Sequence, residues 1–293
     1  MKAIILAGGA GSRLYPLTLV ASKQLQAVYD KPMVYYPLTV MIAGGVKEFC
    51  LISTPDDLPR YNQLLGDGSQ WGIRIDYREQ PKPEGIAQAL VIAESFIGGD
   101  SVALILGDNI FFGSDAIPRA LLEFTSGATI FAYHVNDPER YGVVGFDAKG
   151  RATSIEEKPK QPKSSYAVPG IYLYDNQAVG IAKKLKPSPR GELEITDVNR
   201  AYLAQGTLQV QRLNRGFAWL DAGTSSALQE ASAYVATVER RQGLKIGCPE
   251  EAALVRGFLS LEKFEALLAT MPTCEYREYL SGVAAETKRL QGA

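Results

Sequence analysis

Two kinds of residue near the start of the chain are suited to a polyphosphate. Gly8, Gly9 and Gly11 follow the apolar run 3–7, Ser12 and Arg13 come next, and Lys23 lies ten residues beyond Arg13. Glycine N–H groups can approach phosphate oxygens because no side chain intervenes, and the two cations add fixed positive charge. Asp108 and Asp221 each close an apolar run and are set among glycines, in Leu106-Gly107-Asp108-Asn109 and Leu220-Asp221-Ala222-Gly223. Hard divalent cations take carboxylate and phosphate oxygens. Glycine loop, cations and two carboxylates therefore indicate metal-assisted phosphoryl chemistry. Each piece alone has a plainer reading, as a glycine turn or as an aspartate that opens a turn or caps a helix.

The loop fits neither common nucleotide fingerprint. Leu14 stands where the third glycine of G-x-G-x-x-G would be, and no Gly-Lys-Ser/Thr follows. Further along, Glu156-Glu157-Lys158-Pro159 ends a strand-like run. Its carboxylates can accept from sugar hydroxyls and its ammonium can grip a phosphate; alone it is a charged strand end. Arg190, in Arg190-Gly191-Glu192-Leu193, precedes a helical stretch and either closes on a phosphate or sits on the surface. Tyr141-Gly142 and Trp219 offer flat apolar faces for a sugar.

The elements that must position these groups alternate. Strand-like runs at 3–7, 49–53, 73–77, 102–106 and 129–134 are separated by helix-compatible stretches at 33–43, 60–65, 87–95 and 116–124. Pro37 marks a start or a kink in the first of these. This order predicts an α/β fold with a doubly wound, mixed but mostly parallel sheet. Ligands of such sheets bind beyond the carboxyl ends of the strands, which puts the loop over 8–13 and Gly107-Asp108-Asn109 at one crevice. The middle, with short strand candidates at 143–146, 152–156 and 167–174, reads as a β-rich insertion covering one side of that crevice. Helices are expected at 193–203 and 226–241, a short strand at 217–220, and small helices from Pro249 onward, broken at Pro272. The predicted division is a core over 1–240, with a nucleotide half about 1–135 and a sugar half about 136–225, followed by a helical segment over 241–293.

Composition narrows the class. The 293 residues carry a net charge of −1, with no basic excess to follow a nucleic-acid backbone. No apolar run approaches the roughly 20 residues of a membrane helix, and the amino terminus does not read as a signal peptide. Cys50, Cys248 and Cys274 are too few and too scattered for a disulfide framework or metal cluster, so a cytoplasmic location is expected. His134 is the only histidine, which disfavours histidine catalysis and zinc, and a structural role is expected for it.

Together the motifs resemble those of the sugar-1-phosphate nucleotidylyltransferases, and within them the long, thymidylyl-transferring branch. The resemblance rests on residues 6–18, Ser22-Lys23-Gln24-Leu25, residues 29–33, Leu106-Gly107-Asp108-Asn109, Glu156-Glu157-Lys158-Pro159, residues 190–197 and Trp219-Leu220-Asp221, and it spans residues 4 to about 256. It implies that dTTP and glucose 1-phosphate are converted to dTDP-glucose and pyrophosphate, opening dTDP-rhamnose synthesis. By the same resemblance Gly8, Gly9, Gly11, Ser12 and Arg13 wrap the triphosphate, and Lys23 sits on the α-phosphate. Gln24 lines the nucleotide site, Gln80 and the Gly85 backbone read the base, and Asp108 and Asp221 hold Mg²⁺. Asn109, Tyr141, Gly142, Glu157, Lys158, Val168, Arg190 and Trp219 hold the sugar phosphate. A homotetramer with a second, dTDP-sugar effector site is implied as well. UTP or another sugar phosphate stays open, since thymine and uracil share an imide edge. A catalytically silent relative would be expected to lack one of Arg13, Lys23, Asp108 or Asp221, and all four are present.

The chain departs from the branch pattern at several positions. Ser12 stands for threonine, Gln26-Ala27 for Leu-Pro, Pro169 for threonine before Gly170, and Ala222 for threonine beside Asp221. Loss of the proline is expected to free the backbone beside Lys23. Ser114 replaces a histidine, and Leu254 and Val255 replace a Tyr-Arg pair, so weakened feedback inhibition is expected.

Overall fold

A computed structural model of the chain describes residues 1–9 and 11–292; Ala10, inside the glycine loop, and Ala293 lie outside the described residues. The strands are β1 (Lys2–Leu6), β2 (Ala27–Val28), β3 (Lys31–Pro32), β4 (Glu48–Ser53), β5 (Arg74–Glu79), β6 (Val102–Leu106) and β7 (Asn109–Phe112). They continue with β8 (Ala128–His134), β9 (Gly142–Phe146), β10 (Ala152–Glu157), β11 (Tyr166–Ala167), β12 (Ile171–Tyr174), β13 (Leu208–Arg212) and β14 (Ala218–Asp221). The main sheet runs in the order β10-β9-β11-β8-β12-β6-β1-β4-β5, with β13 beside β8. Strands β6, β1, β4 and β5 are parallel, whereas β12 runs antiparallel to both β6 and β8. The expected mixed, mostly parallel α/β sheet is present, and it is continuous from the amino-terminal strands into the middle region.

Its central strands are apolar without alternation because both faces are covered. Ile5 of β1 faces a core with Leu51 and Ile105, while Ile4 and Leu6 face a second core with Ile52 and Leu104. The covering helices are α1 (Tyr35–Ala43), α2 (Leu58–Leu65), α3 (Gln88–Ile92), α4 (Glu94–Ile97), α5 (Ala116–Glu123), α6 (Gln177–Ala182) and α7 (Ile195–Gln205). They are followed by α8 (Ser225–Gln242), α9 (Pro249–Val255), α10 (Leu261–Thr270) and α11 (Glu275–Gln291). No described helix is long and apolar enough to cross a membrane.

Several expectations need correction. Pro37 lies in the first turn of α1, where its missing N–H costs nothing, so it marks a start rather than a kink. The strand expected over 167–174 is split into β11 and β12, because Pro169 cannot donate to a ladder and Gly170 has no room for a side chain: a Cβ there would stand 2.6 Å from Leu106. The helix expected over 87–95 is two short helices. The carboxyl-terminal helices are not all small, since α11 has 17 residues. Strands β7 and β13 escaped sequence reasoning. In β7 the polar Asn109 opens a short ribbon with β14, and β13 is a half-buried edge whose apolar positions alternate with glutamine.

Candidate active site

The parallel register sets β1 beside β6, pairing Leu6 with Leu106, so both chains leave the sheet at the same edge. A Cβ on Gly107 would stand 3.2 Å from Ala7 Cβ and 3.1 Å from Gln24 Cγ. Glycine at 107 lets the chain leading to Asp108 lie close against Ala7 and Gln24, and the predicted shared crevice follows. The ribbon of β7 and β14 then pairs Asn109 with Asp221, which places Asp221 next to Asp108. Gly223 is packed against both groups that face this point: a Cβ on it would stand 3.1 Å from Asp221 Oδ1 and 3.2 Å from Arg13 Nη2.

Lys23 forms an ion pair with Asp108 Oδ2. Asp108 Oδ1 accepts from Asn109 Nδ2 at 2.9 Å. Burial pushes the Asp108 carboxyl upward, but the ammonium of Lys23 more than offsets it and holds the group below the usual carboxylate range. Asp221 has no such partner. Burial first, and then the charge of Asp108, raise its pKa. Two half-buried carboxylates lie side by side, one ion-paired with Lys23 and the other reached by Lys23, Arg13 and Arg140 only at longer range.

The Lys23 turn is strapped to the glycine loop through Tyr61. Its hydroxyl lies 2.7 Å from Ser22 Oγ and donates to the Ala7 carbonyl at 3.2 Å, and Gln24 Nε2 donates to the Gly8 carbonyl at 3.3 Å. The segment without proline at 26–27 makes bonds of its own. Gln26 Nε2 donates to the carbonyls of Leu17 and Ala21 at 3.1 and 3.2 Å, and Ala27 is paired in the β2–β3 hairpin.

Beside the two aspartates opens a cavity of about 470 Å³. Of the residues predicted for the site, Arg13, Asp108, Asn109, Tyr141, Gly142, Glu157, Lys158, Val168, Arg190, Trp219 and Asp221 line it. Trp219 Nε1 donates to Asn109 Oδ1 at 2.6 Å, and the Gly170 N–H donates to the same oxygen at 3.0 Å. Tyr141 stands against Trp219 with ring centres 5.0 Å apart, making an aromatic wall. Glu157 Oε2 accepts from Thr196 Oγ1 at 2.5 Å. Arg190 is held by Glu194 through bonds of 2.8 and 2.7 Å to its two carboxylate oxygens. Burial works against the charge on Arg190, and the Glu194 carboxylate more than restores it. Lys158 has a φ of 43° that turns the chain at the end of β10, and its N–H donates to the Tyr141 carbonyl at 3.0 Å.

The remaining predicted residues do not line this cavity. Lys23 and Gln24 lie behind Asp108 and Gly107. Gly8, Gly9, Gly11 and Ser12 form the loop leaving β1, and Gln80 is buried against Gly8. Gly85 is set against Leu193, whose carbonyl oxygen would lie 2.4 Å from an added Cβ. Sequence reasoning missed Arg140, Tyr172, Thr196 and Asn199 on the cavity wall. Thr196 falls inside the segment 190–197 but carries no signal of its own in the sequence. His134 makes an edge-on aromatic contact with Tyr166 at 5.6 Å, outside this cavity.

A sheet edge carrying a glycine loop, two converging aspartates and a cavity lined by aromatic and charged side chains is the arrangement of an enzyme that moves nucleotidyl groups. The nucleotidyl transferase family model matches residues 2–238, and the chain belongs to that family. It is 56% identical to the glucose-1-phosphate thymidylyltransferase of Neisseria meningitidis serogroup A, over 96% of this chain and 98% of that protein. It is 52% identical to the glucose-1-phosphate thymidylyltransferase of Mycobacterium tuberculosis, over 96% and 98%. Among solved structures, a UDP-glucose pyrophosphorylase bound to UDP-glucose shares the fold, with a TM-score of 0.70 at 22% identity over 81% of this chain and 98% of that one.

Proposed function

We infer that this enzyme transfers a thymidylyl group from dTTP to glucose 1-phosphate, giving dTDP-glucose and pyrophosphate. The observation that carries this reading is the presence of Arg13, Asp108 and Asp221 in the lining of one cavity together with Tyr141, Glu157, Arg190 and Trp219. Relatives named for this reaction, more than half identical over nearly the whole chain, support the choice of substrates.

The chemistry asks little of proton transfer. A sugar phosphate is already an anion near neutral pH, and its oxygen can attack the α-phosphorus of the nucleotide in line while pyrophosphate leaves. The protein's part is to align two anions that repel each other and to offset their charge. Lys23 and Arg13 provide fixed cations for the α-phosphate and the departing pyrophosphate. Glu157, held by Thr196, accepts from sugar hydroxyls, and Arg190, held by Glu194, faces the sugar phosphate. The donor set of Asp108 and Asp221 also fits Mg²⁺, which takes one or two carboxylates and completes its shell with phosphate oxygens and water. Burial and then the Asp108 charge raise the pKa of Asp221, and a bound cation would oppose both. Bound there, Mg²⁺ would neutralise charge on the phosphates. No group of three or more potential protein ligands occurs among the described residues, so substrate oxygens would have to supply the rest.

The test is mass-spectrometric product identification with glucose 1-phosphate and each of dTTP, UTP, CTP, GTP and ATP. dTDP-glucose formed fastest, abolished by chelation and restored by Mg²⁺, supports the reading. Product from UTP alone changes the nucleotide, and no nucleotide sugar from folded protein overturns it.

A further inference from the structure

Gln80 is buried beside the glycine loop, 4% exposed, yet its side chain is only half engaged. Its Nε2 donates to Gln88 Oε1 at 2.7 Å. Its Oε1 has no donor among the described residues, and it faces the first glycine: a Cβ on Gly8 would stand 2.8 Å from it. An amide can usually be turned end for end, exchanging donor and acceptor. Here the direction is fixed by two partners that cannot exchange roles. The backbone N–H of Glu84 donates to Gln88 Oε1 at 3.2 Å, and Gln88 Nε2 donates to the Glu84 carboxylate at 2.8 Å. A backbone N–H is only a donor and an ionised carboxylate only an acceptor. Gln88 therefore has one orientation, its Oε1 is the acceptor facing Gln80, and Gln80 must point Nε2 at it.

We propose that Gln88 and Glu84 are positioning residues that lock the Gln80 amide with its carbonyl oxygen toward the nucleotide, so that the site selects a pyrimidine carrying an imide N–H. This rests on the nucleotidyl-transfer reading and on Gln80 as the base-reading residue. Thymine and uracil present a ring N–H donor flanked by carbonyl oxygens. Gln80 Oε1 accepts from that N–H, and the second Nε2 hydrogen remains for a neighbouring carbonyl. Cytosine presents an acceptor nitrogen at the same place, beside an amino donor, and would suit only the reversed amide. Rejection of cytosine thus comes from the relay behind Gln80, because Gln80 by itself can serve either base. Gln88 opens α3, and Glu84 stands four residues before it in the connecting segment.

The experiment compares kcat/KM for dTTP and dCTP, at saturating glucose 1-phosphate, in wild type, Gln88→Leu and Gln88→Glu, with thermal unfolding to verify folding. Gln88→Leu removes the acceptor and frees the Gln80 amide to turn. The preference for dTTP over dCTP is expected to fall about tenfold, on the scale of one hydrogen bond, mainly through KM for the nucleotide, with KM for glucose 1-phosphate unchanged. Gln88→Glu keeps an acceptor facing Gln80 Nε2, and the preference is expected to survive even if stability drops. An unchanged preference in Gln88→Leu, or equal losses on both nucleotides in both variants, overturns the relay while leaving the transfer reading intact. A wild-type enzyme that uses dCTP as well as dTTP overturns base reading by Gln80 itself.

Discussion

At the scale of single residues, the site is an exercise in placing charge. Asp108 keeps its negative charge because Lys23 lies against it, whereas Asp221, half-buried beside it, has only more distant cations. Removing a charge that stabilises the phosphoryl transition state typically costs a hundredfold or more in rate. Asp108→Asn and Arg13→Ala are accordingly expected to lower turnover by about two orders of magnitude. Pyrophosphate release from folded protein checks this, and near-normal turnover in Asp108→Asn contradicts the role given to that carboxylate. These residues were legible in the sequence only in combination, because a glycine turn or a strand-end aspartate by itself is common. Thr196, which bonds Glu157, was not, since a threonine at the start of a helix is ordinary until folding brings β10 beside it.

At the scale of elements, short connections determine how precisely the site is held. The β2–β3 hairpin following the Lys23 turn is fastened to the end of α8 by Asp30, Lys31, Glu239 and Lys245. Burial pushes Asp30 upward, but hydrogen bonds from Lys245 and Lys31 outweigh it and its pKa is lowered. A carboxylate with a depressed folded pKa contributes stability above its unfolded value of about 3.9. That contribution is lost as pH falls through the lower folded value. Urea unfolding of wild type between pH 6 and 3 should therefore lose stability more steeply than Asp30→Asn, and parallel curves would show that Asp30 contributes nothing. Strands buried on both faces were readable from their apolar runs. β7 and β13 were not, because a short ribbon and a half-buried edge leave no such run. The break at Pro169-Gly170 needed the close approach of Leu106 and Asn109, a long-range fact.

At the scale of the whole molecule, the carboxyl-terminal helices are bound to one another by polar contacts as well as apolar ones. Tyr276 of α11 donates to the buried Glu250 of α9 at 2.6 Å, and Tyr279 donates to Glu251 at 2.6 Å. Tyr276→Phe leaves Glu250 without its oxygen-borne donor and is expected to cost about 1–3 kcal/mol, read by chemical denaturation; a loss below about 0.5 kcal/mol would mean that water replaces the hydroxyl. A smaller cavity of about 210 Å³ lies between the segment holding Phe112 and Ser114 and the segment holding Lys245 and Gly247. With Ser114 in place of an imidazole, weak feedback is expected: micromolar dTDP-rhamnose should leave initial rates nearly unchanged, and strong inhibition contradicts this.

The central claim is that the protein aligns two anions for one direct displacement, with no enzyme-bound nucleotidyl intermediate. The stereochemical course at the α-phosphorus tests it most directly, using a single diastereomer of dTTP with sulfur at the α-position and glucose 1-phosphate. One in-line attack predicts inversion of configuration in the dTDP-glucose analogue. Retention would require two successive displacements through a group on the enzyme and would contradict the account.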